Sequence, residues 1–127
     1  MANMTSKEKQ AIYNISMLVM MIDGHIASQE AEYWRKIGSL LHMNDAEKQS
    51  AAGMDKNEAV RILRSMNGAN KMIAIKIFTE MVVADGRIDE REKNLLYSLM
   101  DTMDYQQAVN DVGGLDAVKK LIDEYGR

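Results

Sequence analysis

Ile22-Asp23-Gly24-His25-Ile26 and Ala84-Asp85-Gly86-Arg87-Ile88 are two copies of one short motif, separated by 62 residues. The same offset relates Glu30 to Glu92 and extends to apolar residues on both sides of the motif. It pairs Ile15 with Ile77, Val19 with Met81, Trp34 with Leu96, Ile37 with Leu99 and Leu41 with Met103. Because there are only two copies, and the period exceeds the roughly 20 to 50 residues of solenoid units, the pattern predicts a duplicated helical hairpin.

Helical periodicity surrounds both motifs, and strand-like alternation of apolar and polar residues is absent from the sequence. Helix starts are indicated where a short polar residue precedes an acid or amide by three positions. These pairs are Thr5 with Glu8, Asn44 with Glu47, Asp55 with Glu58, Asp89 with Glu92, and Asp104 with Gln107. Glycines at 24, 53, 68, 86 and 113–114 fall between the apolar stretches, where a left-handed residue would end a helix. The sequence therefore predicts an all-α, compact single-domain helical bundle over residues 1–127, with related hairpins at about 5–43 and 69–103.

Size and composition exclude several classes of protein. The chain of 127 residues suffices for one core, and its net charge of −3 argues against nucleic-acid binding. It has no cysteine, which excludes thiol catalysis, cysteine zinc sites and disulfides. The apolar stretch 15–22 is too short for membrane insertion, which needs about 20 residues, and its recurrence in mid-chain argues against a signal peptide. We therefore expect a cytoplasmic protein.

The repeated motif, Asp-Gly-x-Ile-x-x-x-Glu, matches the second half of an EF-hand calcium loop. On that frame Asp85, Asp89 and Glu92 take the fifth, ninth and twelfth positions, whereas Met81 and Val83 take the first and third and cannot ligate. Calcium binds roughly six to eight oxygens, so neither copy makes a standard site. A structural interpretation also stays open, in which the glycine ends a helix, the aspartate bonds the backbone of the turn and the isoleucine enters the core.

The doubled motif, with each copy joining two amphipathic helices, resembles the TerB-like (tellurite-resistance protein B) family, to which a module of membrane-anchored DnaJ-like co-chaperones is related. The resemblance implies about seven helices with internal pseudo-symmetry, a cytoplasmic setting, and a link to tellurite resistance or stress response. It also implies a metal-binding role for the acidic positions, with calcium, magnesium or zinc as the candidate cation. Those positions are Asp23, Glu30, Asp85, Asp89 and Glu92. The second copy is the better candidate, since Ala27 stands where that copy has Asp89.

Methionine is unusually frequent, with 12 residues against one Phe and one Trp. Flexible thioethers suit a core that is poor in aromatic rings. The alternative is a Met-lined apolar groove that binds a protein partner or forms a homodimer. The methionines considered for it are Met17, Met20, Met21, Met72, Met81, Met100 and Met103.

Signals for catalysis are few. The two histidines, His25 and His42, lie on different segments, and the sequence shows neither a nucleophile with its base nor a phosphate-binding glycine loop. We therefore expect a non-enzymatic binding or scaffold protein with a protein partner. A hydrolase remains the third hypothesis, and it requires a cleft that holds two acids with shifted pKa values.

Overall fold

The computed structural model describes residues 4–22, 28–83, 90–114, 116–117 and 120. Within these ranges all regular secondary structure is helical. The described helices are α1 (Ser6–Met21), α2 (Ser28–Leu40), α3 (Asp45–Ala52), α4 (Lys56–Ser65), α5 (Gly68–Val83), α6 (Glu90–Thr102) and α7 (Tyr105–Asp111). The all-α prediction and the expected number of about seven helices are confirmed.

The helix boundaries repeat at the offset found in the sequence. Helices α1 and α5 each have 16 residues, α2 and α6 each have 13, and every boundary of the second pair lies 62 residues after that of the first. The offset also relates the residues that precede α1 and α5: Thr5 accepts a hydrogen bond from the backbone of Glu8, and Asn67 accepts one from the backbone of Asn70. The duplication therefore extends to helix length and capping. The two motif corners, 23–27 and 84–89, lie outside the described residues.

Side-chain caps begin four of the helices that the sequence marks. Thr5 and Asn44 form reciprocal capping boxes at α1 and α3. Asp55 accepts two backbone hydrogen bonds at the start of α4, and Asp104 accepts one at the start of α7. These predictions are confirmed, whereas the cap assigned to Asp89 falls outside the described residues.

The prediction of left-handed glycines is confirmed only at the Gly113-Gly114 pair, whose φ angles are 102° and 99°. It is wrong for Gly53, which has a φ of −90° and closes the end of α3 in a right-handed conformation. The residues that turn the chain after α2 and α6 are instead His42 and Asp104, with φ angles of 54° and 55°. Their N–H groups bond equivalent carbonyls, both at 3.1 Å, so the two corners share one backbone geometry.

Gly68 also differs from its prediction, because it is the first residue of α5 and does not end a helix. A Cβ at this position would lie 2.9 Å from the Cβ of Asp111 and 3.0 Å from the backbone oxygen of Ala108. Glycine therefore allows α7 to approach the start of α5 closely.

The core lies around α1 and α5, the two longest described helices. Helix α1 packs against α3, α4 and α5, and α5 packs also against α7. Ile15 and Ile77, related by the offset, are 0 and 1% exposed. The buried methionines are Met20, Met43, Met54, Met66, Met72, Met81 and Met103. This confirms the interpretation that most methionines fill the core; Met21, by contrast, is exposed.

A buried asparagine ties α1 to the turn between α3 and α4. Asn14 Nδ2 donates to the carbonyl oxygens of Ala51 and Met54, both at 2.8 Å. Its Oδ1 accepts a hydrogen bond from Lys56 Nζ at 3.2 Å. Since Asn14 is wholly buried, these bonds pair its amide and the Met54 carbonyl, which would otherwise be costly to remove from water; the Ala51 carbonyl accepts also from the Met54 N–H at 3.2 Å.

Candidate functional site

The acidic positions assigned to a metal fall mostly outside the described part of the chain. Asp23, Asp85 and Asp89 lie there entirely, and Glu30 belongs to α2 but its side chain is not described. Among the residues described, no three His, Asp or Glu side chains group closely enough to hold a metal ion. The proposed cation site therefore stays a prediction.

Glu92 is the one predicted ligand whose side chain is described. It belongs to the first turn of α6 and is 2% exposed. The amino end of a helix carries a partial positive charge that favours a carboxylate. A carboxylate at such depth is otherwise strongly disfavoured unless a hydrogen bond or a cation compensates it. Its burial makes Glu92 the most informative of the five positions.

A groove runs along one face of α5. We call it the α5 groove; its volume is about 310 Å³. Met72 and Ile75 are buried, and the lining residues Thr79, Glu80 and Val83 are exposed. The full lining is Met72, Ile75, Lys76, Thr79, Glu80, Val83 and Tyr105. The groove thus combines a mainly apolar floor with a charged rim of one lysine and one glutamate.

The first half of the chain carries different side chains at positions equivalent to the groove lining. Tyr13, the equivalent of Ile75 at the 62-residue offset, stacks on Trp34 with ring centroids 4.8 Å apart. Burial raises the pKa of Tyr13 above its usual range, as expected for a phenol among apolar neighbours. Position 75 carries an aliphatic side chain, and position 79 has a threonine where the first half has Met17. The two halves therefore carry side chains of different size at these positions of the central helix.

The described lining of the α5 groove carries one carboxylate. That acid is Glu80, whereas the hydrolase hypothesis requires a pair of acids with shifted pKa values. The pKa of Glu47, on α3 and away from the groove, is displaced. Hydrogen bonds from Ser6 and from the Asn44 backbone lower the pKa of Glu47.

The sequence reasoning found one residue of this groove, Met72, among the methionines proposed to line a partner-binding surface. Met81, also proposed, is fully buried in the core, whereas Met21 is exposed in the other half of the chain. The signal that was missed is the row Ile75, Thr79 and Val83, spaced by four residues on one face of α5.

None of the described helices is both long enough and apolar enough to cross a membrane. Comparison of the chain with models of protein families, with curated proteins and with solved structures gave no match.

Proposed function

We propose that this chain is a non-enzymatic, TerB-like binding protein whose α5 groove takes an apolar helical segment of a protein partner. The α5 groove is the observation that carries the proposal. Its lining follows α5 from Met72 to Val83, about three helical turns. A partner helix presents apolar residues at i, i+3, i+4 and i+7, a stripe that suits a floor of this length.

The floor and the rim of the α5 groove would make different contacts with a partner helix. Met72 is an adaptable thioether that can repack around different apolar side chains. Lys76 and Glu80 lie one turn apart and can orient a partner through charged groups beside its apolar stripe. The family resemblance supplies the setting of the proposal, a cytoplasmic role in tellurite resistance or stress response.

A displayed library of amphipathic helical peptides, selected on the wild-type chain, tests this function. We expect the selected peptides to share the i, i+3, i+4, i+7 apolar spacing and to shift the methyl resonance of Met72. Val83→Glu should weaken their binding by about tenfold or more, because it places a charge in the groove.

Met21→Glu is the matched control, since Met21 occupies the equivalent position in α1 and is 51% exposed against 44% for Val83. It should leave peptide binding unchanged. A library that yields no binding peptide, or peptides that bind Val83→Glu as well as wild type, would contradict the proposal.

Divalent-cation binding at the second motif corner is the other candidate function, and the acidic pattern of Asp85, Asp89 and Glu92 in the sequence supports it. Titration calorimetry with calcium, magnesium and zinc should then give a binding heat that Asp85→Asn and Glu92→Gln both abolish. Asp101→Asn, at an exposed acid on the same helix as Glu92, should retain the heat. No heat with any of the three metals at millimolar concentration would eliminate this function.

A further inference from the structure

We infer that two copies of this chain pack α5 against α5 in opposite directions, so that the exposed face of one copy's α5 occupies the α5 groove of the other. This inference rests on the proposed function and names the partner: a second copy of the chain. Four features of the described structure support it.

The first is the order of the charges on the groove rim. Along α5 the base comes first, at Lys76, and the acid follows one helical turn later, at Glu80. A two-fold axis across the helix brings Lys76 of one copy opposite Glu80 of the other, and the same pair forms a second time. In a parallel pair in register each charge would face its own kind, which is repulsive. The charges of α5 are therefore complementary to those of an antiparallel α5.

This order is also the weaker one for pairing within a helix. A glutamate that precedes a lysine by four residues pairs better along a helix than a lysine that precedes a glutamate. The ion pair of α2, between Glu32 and Lys36, has the favoured order. Lys76 and Glu80 have the reverse order, so both charged groups are better suited to partners outside their own helix.

The second feature is the small residue midway along this face. Thr79 is exposed, and its Oγ1 donates to the carbonyl of Ile75 at 2.8 Å within α5. A second chain that covers Thr79 would therefore not deprive the hydroxyl of its partner. The distance between packed helices, about 8–10 Å, depends on the side chains at the contact, so a threonine at the two-fold axis lets the helices approach closely.

The third feature is the difference in depth between the apolar residues on either side of Thr79. Ile75, one turn before it, is 7% exposed, whereas Val83, one turn after it, is 44% exposed. An axis at Thr79 places the protruding Val83 of each copy opposite the recessed Ile75 of the other. Each copy thus supplies the side chain that enters the groove of its partner.

The fourth feature is the use of the equivalent face in the first half. Asn14, the counterpart of Lys76, bonds to the α3–α4 turn, and Tyr13, the counterpart of Ile75, stacks on Trp34 of α2. In α1 this face therefore packs against other parts of the same chain. The matching face of α5 has exposed residues along the groove, so it can be buried between two chains.

Charge reversal in the full chain tests the inference. We expect a dimer in sedimentation velocity, followed up to about 1 mM, because a contact of one helix face belongs to the small and weak class of interfaces. Lys76→Glu and Glu80→Lys should each weaken it by about tenfold or more, since each turns two attractive pairs into repulsive ones. Arg61→Glu, at an exposed base on α4, changes the net charge as Lys76→Glu does and should leave the dimer unchanged.

Mixing the two variants is the sharper measurement, and it also shows that both are folded. The antiparallel arrangement places the acids of Lys76→Glu opposite the bases of Glu80→Lys, so an equimolar mixture should form heterodimers about as tightly as the wild type pairs with itself. The double variant Lys76→Glu/Glu80→Lys should regain self-association. A chain that stays monomeric at about 1 mM, a dimer that neither reversal weakens, or variants that do not rescue each other would overturn the inference.

Peptides selected on the α5 groove separate this inference from the proposed function. They should dissociate the wild-type dimer, because peptide and second copy occupy the same groove. If peptides bind the groove of a chain that stays monomeric, self-association is wrong while the proposed function stands. If the dimer follows the charge pattern but the library yields no peptide, the second copy is the occupant and the binding of a foreign helix is wrong.

Discussion

Helices α1 and α2 match α5 and α6 in length, boundaries and the corner that ends them, yet the helices that follow begin at different points. After the left-handed corner at His42 the chain continues to Asn44 before α3 begins, whereas α7 begins directly after Asp104, the counterpart of His42 in the second half. Asp104 itself serves as both corner and cap. The repeated helix pair is thus followed in each half by a third helix, and the first residues of α3 and α7 differ by two positions at the 62-residue offset.

The difference also concerns what holds each half together. In the first half polar side chains join α1 to its neighbours, through Asn14 to the α3–α4 turn and through Ser6 to Glu47 on α3. In the second half the corresponding positions are Lys76 and Gly68, and α7 is held by close backbone approach. Equivalent positions in one chain therefore serve as internal controls for each other.

The largest loss of stability is expected from a substitution at the centre of α5. Phe78 is fully buried, and Phe78→Ala should lower the free energy of unfolding by about 3–5 kcal/mol, because it removes apolar contacts and leaves a cavity. Its equivalent Ser16 is also fully buried, but its hydroxyl bonds the carbonyl of Ile12 within the same helix. Ser16→Ala should cost about 1 kcal/mol or less. Equal losses in urea unfolding would contradict this contrast between the halves.

Asn14 should produce the next largest effect. Asn14→Ala removes the donors of two backbone carbonyls at the α3–α4 turn, and should lower the free energy of unfolding by about 3 kcal/mol. Lys76→Ala, at the equivalent position of α5, should change it by less than about 0.5 kcal/mol. Guanidinium unfolding of both variants checks the prediction, and a similar loss in the two would show that the polar tie is unimportant.

A smaller loss is expected where α7 approaches α5. Gly68→Ala introduces a Cβ only 2.9 Å from that of Asp111, so the helices must separate, at a cost of about 1–3 kcal/mol. The matched change Ser6→Ala removes an exposed hydrogen bond and should cost about 0.5 kcal/mol. Thermal unfolding with equal midpoints for the two variants would indicate that α7 does not depend on the glycine.

The smallest effect is a pH dependence of stability that arises from Glu47 in the first half. The pKa of Glu47 is lowered in the folded chain, so its stabilising contribution is present above the pKa of the unfolded chain and is lost as the pH falls through the folded pKa. Ser6→Ala should raise the pKa of Glu47, as followed by NMR of its carboxyl carbon. Gln107 holds the same position in α7 and does not titrate. An unchanged Glu47 titration in Ser6→Ala would show that the hydroxyl contact is not what lowers it.

Much of the fold could be predicted because apolar spacing and capping residues are local signals. Thr5, Asn44, Asp55 and Asp104 each cap the helix that they were expected to begin. The left-handed conformation of His42 was not foreseen, since it is imposed by the hydrogen bonds that end α2 and the residue type gives little sign of it.

The groove was predictable only in part, since it depends on which faces remain uncovered after packing. The composition suggested methionine-lined binding, and Met72 does line the groove. Helical spacing alone does not distinguish Met72 from Met81 as a residue of the groove. In the structure Met81 belongs to the core and is fully buried. Tyr105 joins the groove from another helix, which no local pattern could indicate.

The methionine-rich core makes the chain sensitive to oxidation when it unfolds. Oxidation converts a methionine into a polar sulfoxide, and the oxidant must reach the sulfur to do so. In the folded chain Met21 offers that access, while the seven buried methionines are shielded. A chain that unfolds in the presence of peroxide would acquire sulfoxides at these positions. Because the polar sulfoxides resist reburial, the oxidised chains would not refold, and the fraction of folded protein would fall with each unfolding event.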